Sequence, residues 1–386
     1  MTAPVARPLL HVIAGLSSGG AENFLLKLLR SDEVLRAHSA VLSIRPQVDL
    51  LPQFEALGIP VERQPLQADW RLPLRLWRIH RRIHAPGTRL VQSWLYLADS
   101  VASLSAQVLG RLPLAWGIRS SHGARGKRLT GLLAQRLNPW LSRRHVQRIV
   151  CCGQRAREAH AALGYAEDKL VVIPNGYDTR SQRRDAAAGA ALRAQLGIAP
   201  GAPVIGMAAR IDTFKDHETL LAAAALLAEG MPELRLLLCG KGTDGEPLRR
   251  RAQALGLGDR LIGLGVRHDM QAVYSALDVH VLSSFTEGFP NVVAEAALHG
   301  CVSFSTPVGE APEMLGDSRW LVPVGDARSM SRALGDCLRH SPEQRAEWAQ
   351  AQRERIEQHY ELARVAALYR QTYNQLVPGL LPTESP

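Results

Sequence analysis

Residues 281–300, VLSSFTEGFPNVVAEAALHG, decide how the rest of the chain is read. The apolar run DVHVLSS (278–284) is short and Val-rich, as expected of a strand covered on both faces, while VVAEAALHG has the composition of a helix. Between them, Glu287, Gly288, Phe289, Pro290 and Asn291 must turn the chain. This predicts a strand-to-helix crossing. In an open parallel sheet such crossings are where ligands bind, because the first N–H groups of the helix are unpaired and carry partial positive charge.

Glu287 and Glu295 lie eight positions apart, which at roughly 100° per residue returns to within about a quarter-turn of one helix face. With Glu287 in the loop and Glu295 one turn into the helix, both reach one ligand from different depths. Carboxylates are poor partners for an anion, so each is expected to accept hydrogen bonds from neutral hydroxyls. A nucleotide sugar combines phosphates for the helix start with hydroxyls for the acids. The plainer alternative is a helix start with one glutamate near the cap and another on the surface.

The same grammar recurs on both sides. Downstream of a polar, turn-rich stretch at 179–203, the strand PVIGMAAR (203–210) leads through IDTFKD (211–216) into the helix 217–230. LRLLLCG (234–240) ends in Gly240, Lys241 and Gly242, and RLIGLGV (260–266) precedes Arg267. Arg210 and Lys215 would put two cations at the edge that carries Glu287, enough to neutralise a diphosphate without a metal. The solvated-loop reading of these two stays open. No D-x-D sequence offers a divalent cation a carboxylate seat.

Upstream, LLHVIAGL (9–16) turns through Gly19 and Gly20 into a helix over 21–30. The glycines permit close approach of a ligand or simply make the turn, and their spacing is not the dinucleotide fingerprint. Further strands are expected at 39–45, 89–95, 113–119 and 170–173, with a helix over 98–110. Repeated alternation predicts parallel α/β layers. The boundaries are read as a first domain over 1–178, a second over 179–358, a terminal helix over 359–377 and a loose tail over 378–386.

Composition narrows the rest. The chain of 386 residues carries 46 Lys and Arg against 36 Asp and Glu. The excess is confined to residues 1–178, with 24 basic against 12 acidic, leaving 22 against 24 beyond. Two segments hold much of it, 71–84 and 125–148, and mix Arg with Leu and Trp. That pattern suits an anionic membrane surface through Arg78, Arg81 and Arg82, or an ordinary outer helix. Nucleic acid is not expected, since no stacking platform accompanies the charge. No apolar run reaches the ~18–20 residues of a membrane span. The opening residues read as a first strand rather than a signal peptide. Five cysteines without a C-x-x-C pair point to reduced thiols and a cytoplasmic chain.

Taken together, EGFPNVVAE, AARIDTFKD, IPNGYD and the GGAEN turn resemble the family 4 retaining glycosyltransferases of the GT-B fold, from Gly19 to about Tyr373. The resemblance implies an α/β protein of two Rossmann-like domains with parallel sheets facing across a deep cleft, its C-terminal helix crossing back to the first domain. It implies transfer of a hexose-like unit from a UDP- or GDP-sugar, UDP favoured, to a hydroxyl of a glycan or lipid-linked acceptor in envelope polysaccharide or lipopolysaccharide synthesis. No cofactor or metal is implied.

By the same resemblance, Arg210 and Lys215 bind the diphosphate, Glu287 holds hydroxyls of the donor sugar and Glu295 the ribose. Phe289, Pro290 and Asn291 line the sugar and phosphates, Asn291 and Val292 offer backbone N–H groups, and Gly240, Lys241, Gly242, Val266 and Arg267 border the nucleotide. Gly19 and Gly20 face the phosphates or the acceptor. The acceptor side departs from the family pattern: the histidine that many relatives carry there has no secure counterpart, and His122, Trp94, Tyr96, Asp99 and Arg119 are equal candidates. Two rivals share the architecture, a nucleotide-sugar epimerase or hydrolase and a non-catalytic nucleotide-sugar-binding or membrane-scaffold protein.

Overall fold

The computed structural model describes residues 7–17, 19–67, 69–120 and 129–382, without the side chains of 129–133 and 135. It divides into two compact units, one taking the chain up to Tyr177 and again from Leu362, the other Asp178–Glu361.

In the first unit the strands are β1 Leu9–Ile13, β2 Ser39–Ser43, β3 Val61–Arg63, β4 Leu90–Trp94, β5 Leu114–Ile118, β6 Arg148–Cys151 and β7 Leu170–Val172. They form one parallel sheet in the order β3-β2-β1-β4-β5-β6-β7. Every residue of β1, β2, β4 and β5 is buried, as parallel strands covered by helices on both faces require. In the second unit β8 Val204–Ala208, β9 Arg235–Cys239, β10 Leu261–Gly263, β11 Val279–Leu282 and β12 Val302–Ser305 pair in parallel as β10-β9-β8-β11-β12. In each sheet the strand order reverses once, between β1 and β4 and between β8 and β11. In doubly wound folds this switch point opens the crevice that binds ligands, at the carboxyl ends of the strands.

The terminal helix expected over 359–377 begins three residues later, after a helix that closes the second unit. Two helices, Pro342–Tyr360 and Leu362–Leu376, are separated at Glu361, whose backbone is extended. The break has a partner: the Leu362 N–H donates to the Tyr177 carbonyl at 2.9 Å instead of continuing the helical ladder. Gly176 is required beside it, since a Cβ there would lie 2.6 Å from Leu362 Cδ1 and 2.9 Å from its Cα. The last helix buries Val365, Ala366, Tyr369 and Tyr373 with Leu9, Ile13 and Trp94 in the first core. Nor is the chain loose from 378 onward, as far as it is described. Leu380 and Leu381 are buried in that core, and the Asn374 side chain bonds both the N–H and the carbonyl of Leu381.

The helix expected over 98–110 begins earlier, as Tyr96–Ser103, and widens into a π-helical turn at Leu104–Val108. All five cysteines are free and buried, and burial pushes the Cys301 and Cys337 thiols up to about 12. Among the described residues no helix is long and apolar enough to cross a membrane.

Candidate functional site

Two loops flank the switch point of the second sheet, one after β8 and one after β11. In the first, Asp212 Oδ1 accepts the Phe214 N–H at 3.0 Å and starts the short turn Thr213–Lys215. Its other oxygen receives Arg210 through Nε at 3.1 Å and Nη2 at 2.7 Å. Bonding to Phe214 and Arg210 holds the Asp212 carboxyl below its usual range, so the group remains an anion. Asp216 then takes a left-handed backbone conformation, φ 49° and ψ 53°, uncommon for a side chain with a Cβ. It is held there by its own cap on the Thr219 N–H at 3.2 Å, and by Ser283, whose hydroxyl lies 3.0 Å from the Lys215 carbonyl and 2.9 Å from that of Asp216.

This corner sends Lys215 back toward β11. Its Nζ pairs with Glu287 Oε1, and Ser284 Oγ donates to the same oxygen at 2.7 Å. Both ends of the pair are largely covered, with side chains 22% and 13% exposed. From the far side Gly309, at φ +53°, backs the loop. A Cβ there would stand 2.7 Å from the Gly288 carbonyl oxygen and 3.0 Å from that of Glu287.

The helix of the opening stretch runs Asn291–Leu298 with Pro290 at its cap. Glu295 Oε2 accepts from the Tyr274 hydroxyl at 3.0 Å. Burial, then the charge of Glu295, raises the Tyr274 phenol well above its usual range, so it stays a donor. Pro290 is buried and Val292 half-buried in the first turn. Two expectations here are corrected. The Phe289 ring does not line an open surface; it is buried edge-on against Tyr360, centroids 6.0 Å apart. The Asn291 N–H is already committed to the Phe289 carbonyl at 3.0 Å.

Beyond β9, Gly240 and Gly242 take positive φ values, and Thr243 ties the turn to the next strand's loop: its hydroxyl donates to the Gly240 carbonyl at 2.9 Å and accepts the Gly265 N–H at 3.0 Å. Lys241 is exposed, Val266 is 63% exposed, and Arg267 is paired with Asp269, with Nε to Oδ1 at 2.8 Å. The second unit therefore gathers Arg210, Lys215, Gly240, Lys241, Gly242, Val266, Arg267 and Glu287 on the loops that leave the carboxyl ends of its strands, with Asn291 and Glu295 on the helix that follows β11.

In the first unit Gly19 caps the helix Gly20–Ser31. Glu22 folds against this start, so that a Cβ on Gly19 would lie 2.4 Å from its carboxylate, and Ser17 Oγ donates to Glu22 at 3.2 Å. Burial raises the Glu22 carboxyl. Among the acceptor candidates, Trp94 and Asp99 are corrected outright, since both are fully buried. Trp94 donates its indole N–H to His11 at 3.2 Å, and Asp99 accepts from Ser93 at 2.6 Å, with burial raising its carboxyl well above the usual range. Tyr96 is half-buried with its hydroxyl 3.0 Å from His160 Nε2. Arg119 reaches Asn175 at 3.1 Å and the Tyr369 hydroxyl at 2.6 Å, its guanidinium 3.7 Å from the Phe24 ring centre, and so fastens the last helix to the sheet. His122 lies outside the described residues.

Sequence reading missed Ser283, Ser284, Asp212, Tyr274, Asp269 and Gly309. The serines were visible as two hydroxyls closing an apolar strand, and each aspartate stands two residues from the arginine it holds; Tyr274 and Gly309 gave no local signal.

A parallel sheet whose order reverses once in each unit, with cations and acids on the loops at the second reversal, defines a protein of two doubly wound α/β domains. Residues 18–181 match the family model "Glycosyltransferase Family 4" and residues 190–355 match "Glycosyl transferases group 1", and the chain belongs to the family 4 glycosyltransferases of the GT-B fold. It is 34% identical over 167 residues to a D-inositol 3-phosphate glycosyltransferase of Nocardia farcinica, covering 40% of this chain and 36% of that protein. It is 32% identical over 145 residues to the lipopolysaccharide core biosynthesis glycosyltransferase LpsE of Rhizobium meliloti, covering 37% and 41%. Across the first three such relatives the match spans 36%, 61% and 36% of their length. Among solved structures, that of HepE from Anabaena in complex with UDP and glucose superposes with a TM-score of 0.82 over 96% of this chain and 100% of the other, at 21% identity.

Proposed function

We propose that this chain transfers a sugar, with retention of the anomeric configuration, from a UDP-sugar to a hydroxyl of a glycan or lipid-linked glycan of the cell envelope. The observation that carries the reading is the Lys215–Glu287 pair, covered and fixed by Ser283 and Ser284 at the switch point beside Arg210. Departure of a nucleoside diphosphate builds negative charge on its phosphates, and cations aimed in advance at that charge lower the barrier most. Arg210 and Lys215 supply them without a metal. Glu287 then accepts hydroxyls of the sugar, Glu295 the ribose, and a phosphate oxygen of the leaving group takes the acceptor proton. The Anabaena protein solved with UDP and glucose supports a UDP donor, and the Rhizobium relative supports an envelope acceptor.

A panel of UDP- and GDP-sugars, read by nucleotide release and by NMR of the product anomer, tests this. Transfer with retention, undiminished by EDTA, is expected. Free sugar or an epimer formed without acceptor assigns the chain to the hydrolase or epimerase rival.

We propose further that the first unit rests on the inner face of the cytoplasmic membrane through the helix Leu72–Ile83. Ile79 and Ile83 are its buried side, while Leu74 and Trp77 are 46% and 52% exposed among Arg78 and Arg81, and Trp70 just ahead is 82% exposed. Arg71 and Arg81 stack over Trp70 and Trp77 at 4.6 and 5.5 Å. Rings at the boundary with cations beside them suit anionic headgroups. Arg82 is tied to Glu62 at 2.9 Å, so Arg78→Gln with Arg81→Gln should weaken sedimentation with anionic liposomes more than Arg82→Gln does. Sedimentation indifferent to both and to salt removes the proposal.

A further inference from the structure

The second unit has another cavity, at the opposite end of its sheet from the loops described above. It measures about 600 Å³, within the roughly 300–1,000 Å³ of small-molecule sites, and is lined by Arg183, Arg184, Arg345 and Arg353 with Asp278 as the one acid. Its place follows from the topology. Asp278 immediately precedes β11 and Gly300 precedes β12, so the cavity borders the amino ends of the strands, whereas Arg210 and Glu287 follow carboxyl ends. One wall is a single face of the helix Pro342–Tyr360, where Ala346 and Ala349 leave room between Arg345 and Arg353.

The charges in this cavity are poorly compensated. Asp278 is already shared, accepting from Arg193 at 2.9 Å and from the Val204 N–H at 2.8 Å, and lies 3.7 Å from Arg345. Arg353 is paired with Glu357 at 2.8 Å and otherwise donates to the carbonyls of Thr179, Gln182 and Leu298. Arg184 donates to the carbonyls of Gly300 at 2.7 Å and Ser275 at 3.4 Å, and Arg183 to that of Arg180 at 2.8 Å. A carbonyl fixes a guanidinium without neutralising it. The result is four cations around a concave space, two of which, Arg345 and Arg353, lie against Asp278 and Glu357, while Arg183 and Arg184 are held by carbonyls alone among the described residues, an arrangement that concentrates anions. The planar fork of each guanidinium matches phosphate oxygens.

We infer that this cavity binds the phosphoryl or pyrophosphoryl group of a small molecule, at a site separate from that of the sugar donor. Pyrophosphate is the probe, titrated calorimetrically at 150 mM salt. The Arg210→Ala/Lys215→Ala variant removes the cations at the other end of the sheet, and the cavity should still bind pyrophosphate saturably in it. Adding Arg183→Glu should weaken that binding at least tenfold, and Arg183→Lys by less. The Arg183 side chain is exposed and, among the described residues, bonds only to the Arg180 carbonyl of its own turn, so Arg183→Glu should unfold at the parental temperature. The inference is overturned if Arg210→Ala/Lys215→Ala binds no pyrophosphate, or if Arg183→Glu leaves the affinity within threefold.

Discussion

Under the proposed function, removal of the Lys215 ammonium should separate catalysis from folding, because the group would face the leaving diphosphate as well as Glu287. In the resting protein its charge is matched by Glu287, whose carboxylate also accepts from the Ser284 hydroxyl, 2.7 Å away. With side chains 22% and 13% exposed, the pair falls between surface ion pairs, worth about 0–1 kcal/mol, and buried pairs, where truncation costs about 3–5 kcal/mol. A cost near 2 kcal/mol for Lys215→Ala follows, or roughly 4–8 °C in Tm for a domain of this size. The loss in turnover is set differently. One preorganised donor facing developing charge is worth about 2.7–4 kcal/mol, which is about a hundred- to a thousand-fold in kcat. Lys215→Ala/Glu287→Gln should therefore regain most of the Tm and none of the kcat. The assays are calorimetry and nucleotide release under saturating donor. Transfer at the parental rate by Lys215→Ala, or turnover that returns in the double variant, would refute the diphosphate role.

Acid stability should fall in both units from one cause. Burial pushes His11 and His280 down to about 3 from an ordinary 6.5, so the folded chain binds fewer protons than the unfolded one between those values. Stability is complete above about pH 6.5 and declines toward pH 3, by about 2 kcal/mol per histidine at pH 5; His280→Asn should flatten the acid slope of the second unit's transition, and an unchanged slope refutes this. Asp99 has the opposite sign, since its raised carboxyl is protonated in the fold and its stabilising contribution is lost as pH rises above about 3.9. The Tm of Asp99→Asn should accordingly gain on the parent from pH 4 to pH 8, and a constant difference counts against the reasoning. A chain ended after Val377 loses two buried leucines, Leu380 and Leu381, and should lose about 3–6 kcal/mol in urea unfolding of the first unit; an unchanged midpoint would mean that the tail does not pack.

The alternation of strands and helices was legible because buried parallel strands are short apolar runs, and β1, β4, β5, β8, β9 and β11 all stood out this way. β3, β6 and β12 did not. Val61–Arg63 is a polar edge strand, Arg148–Cys151 begins inside a basic run, and Val302–Ser305 alternates with serine. The break at Glu361 was placed a few residues early, because what fixes it is a carbonyl at Tyr177, far away in sequence. The placement of Arg210, Lys215 and Glu287 on neighbouring loops was legible because each closes or follows an apolar strand. The acceptor side was not. Trp94 ends β4 and Asp99 stands in the first turn of the next helix, places that suit functional groups, and only packing reveals that one serves the core and the other a buried hydroxyl.

The cations of the second unit also share a feature that no spacing rule would suggest. Arg210 is held by Asp212, Lys215 by Glu287 and Arg267 by Asp269, two of the three acids lying within two residues of their partner. A flexible cation loses side-chain entropy when it is first ordered, and here the neighbouring acids have already ordered it. Under the proposed function an incoming diphosphate would meet donors whose positions are set, at the cost of competing with one carboxylate each. The backbone is prepared in the same way: the left-handed Asp216 is kept by two carbonyl contacts from Ser283. Ser283→Ala should therefore act through Lys215, lowering kcat while leaving the KM for donor nearly unchanged. A rise in KM with normal kcat would place Ser283 in binding instead and break this chain of support.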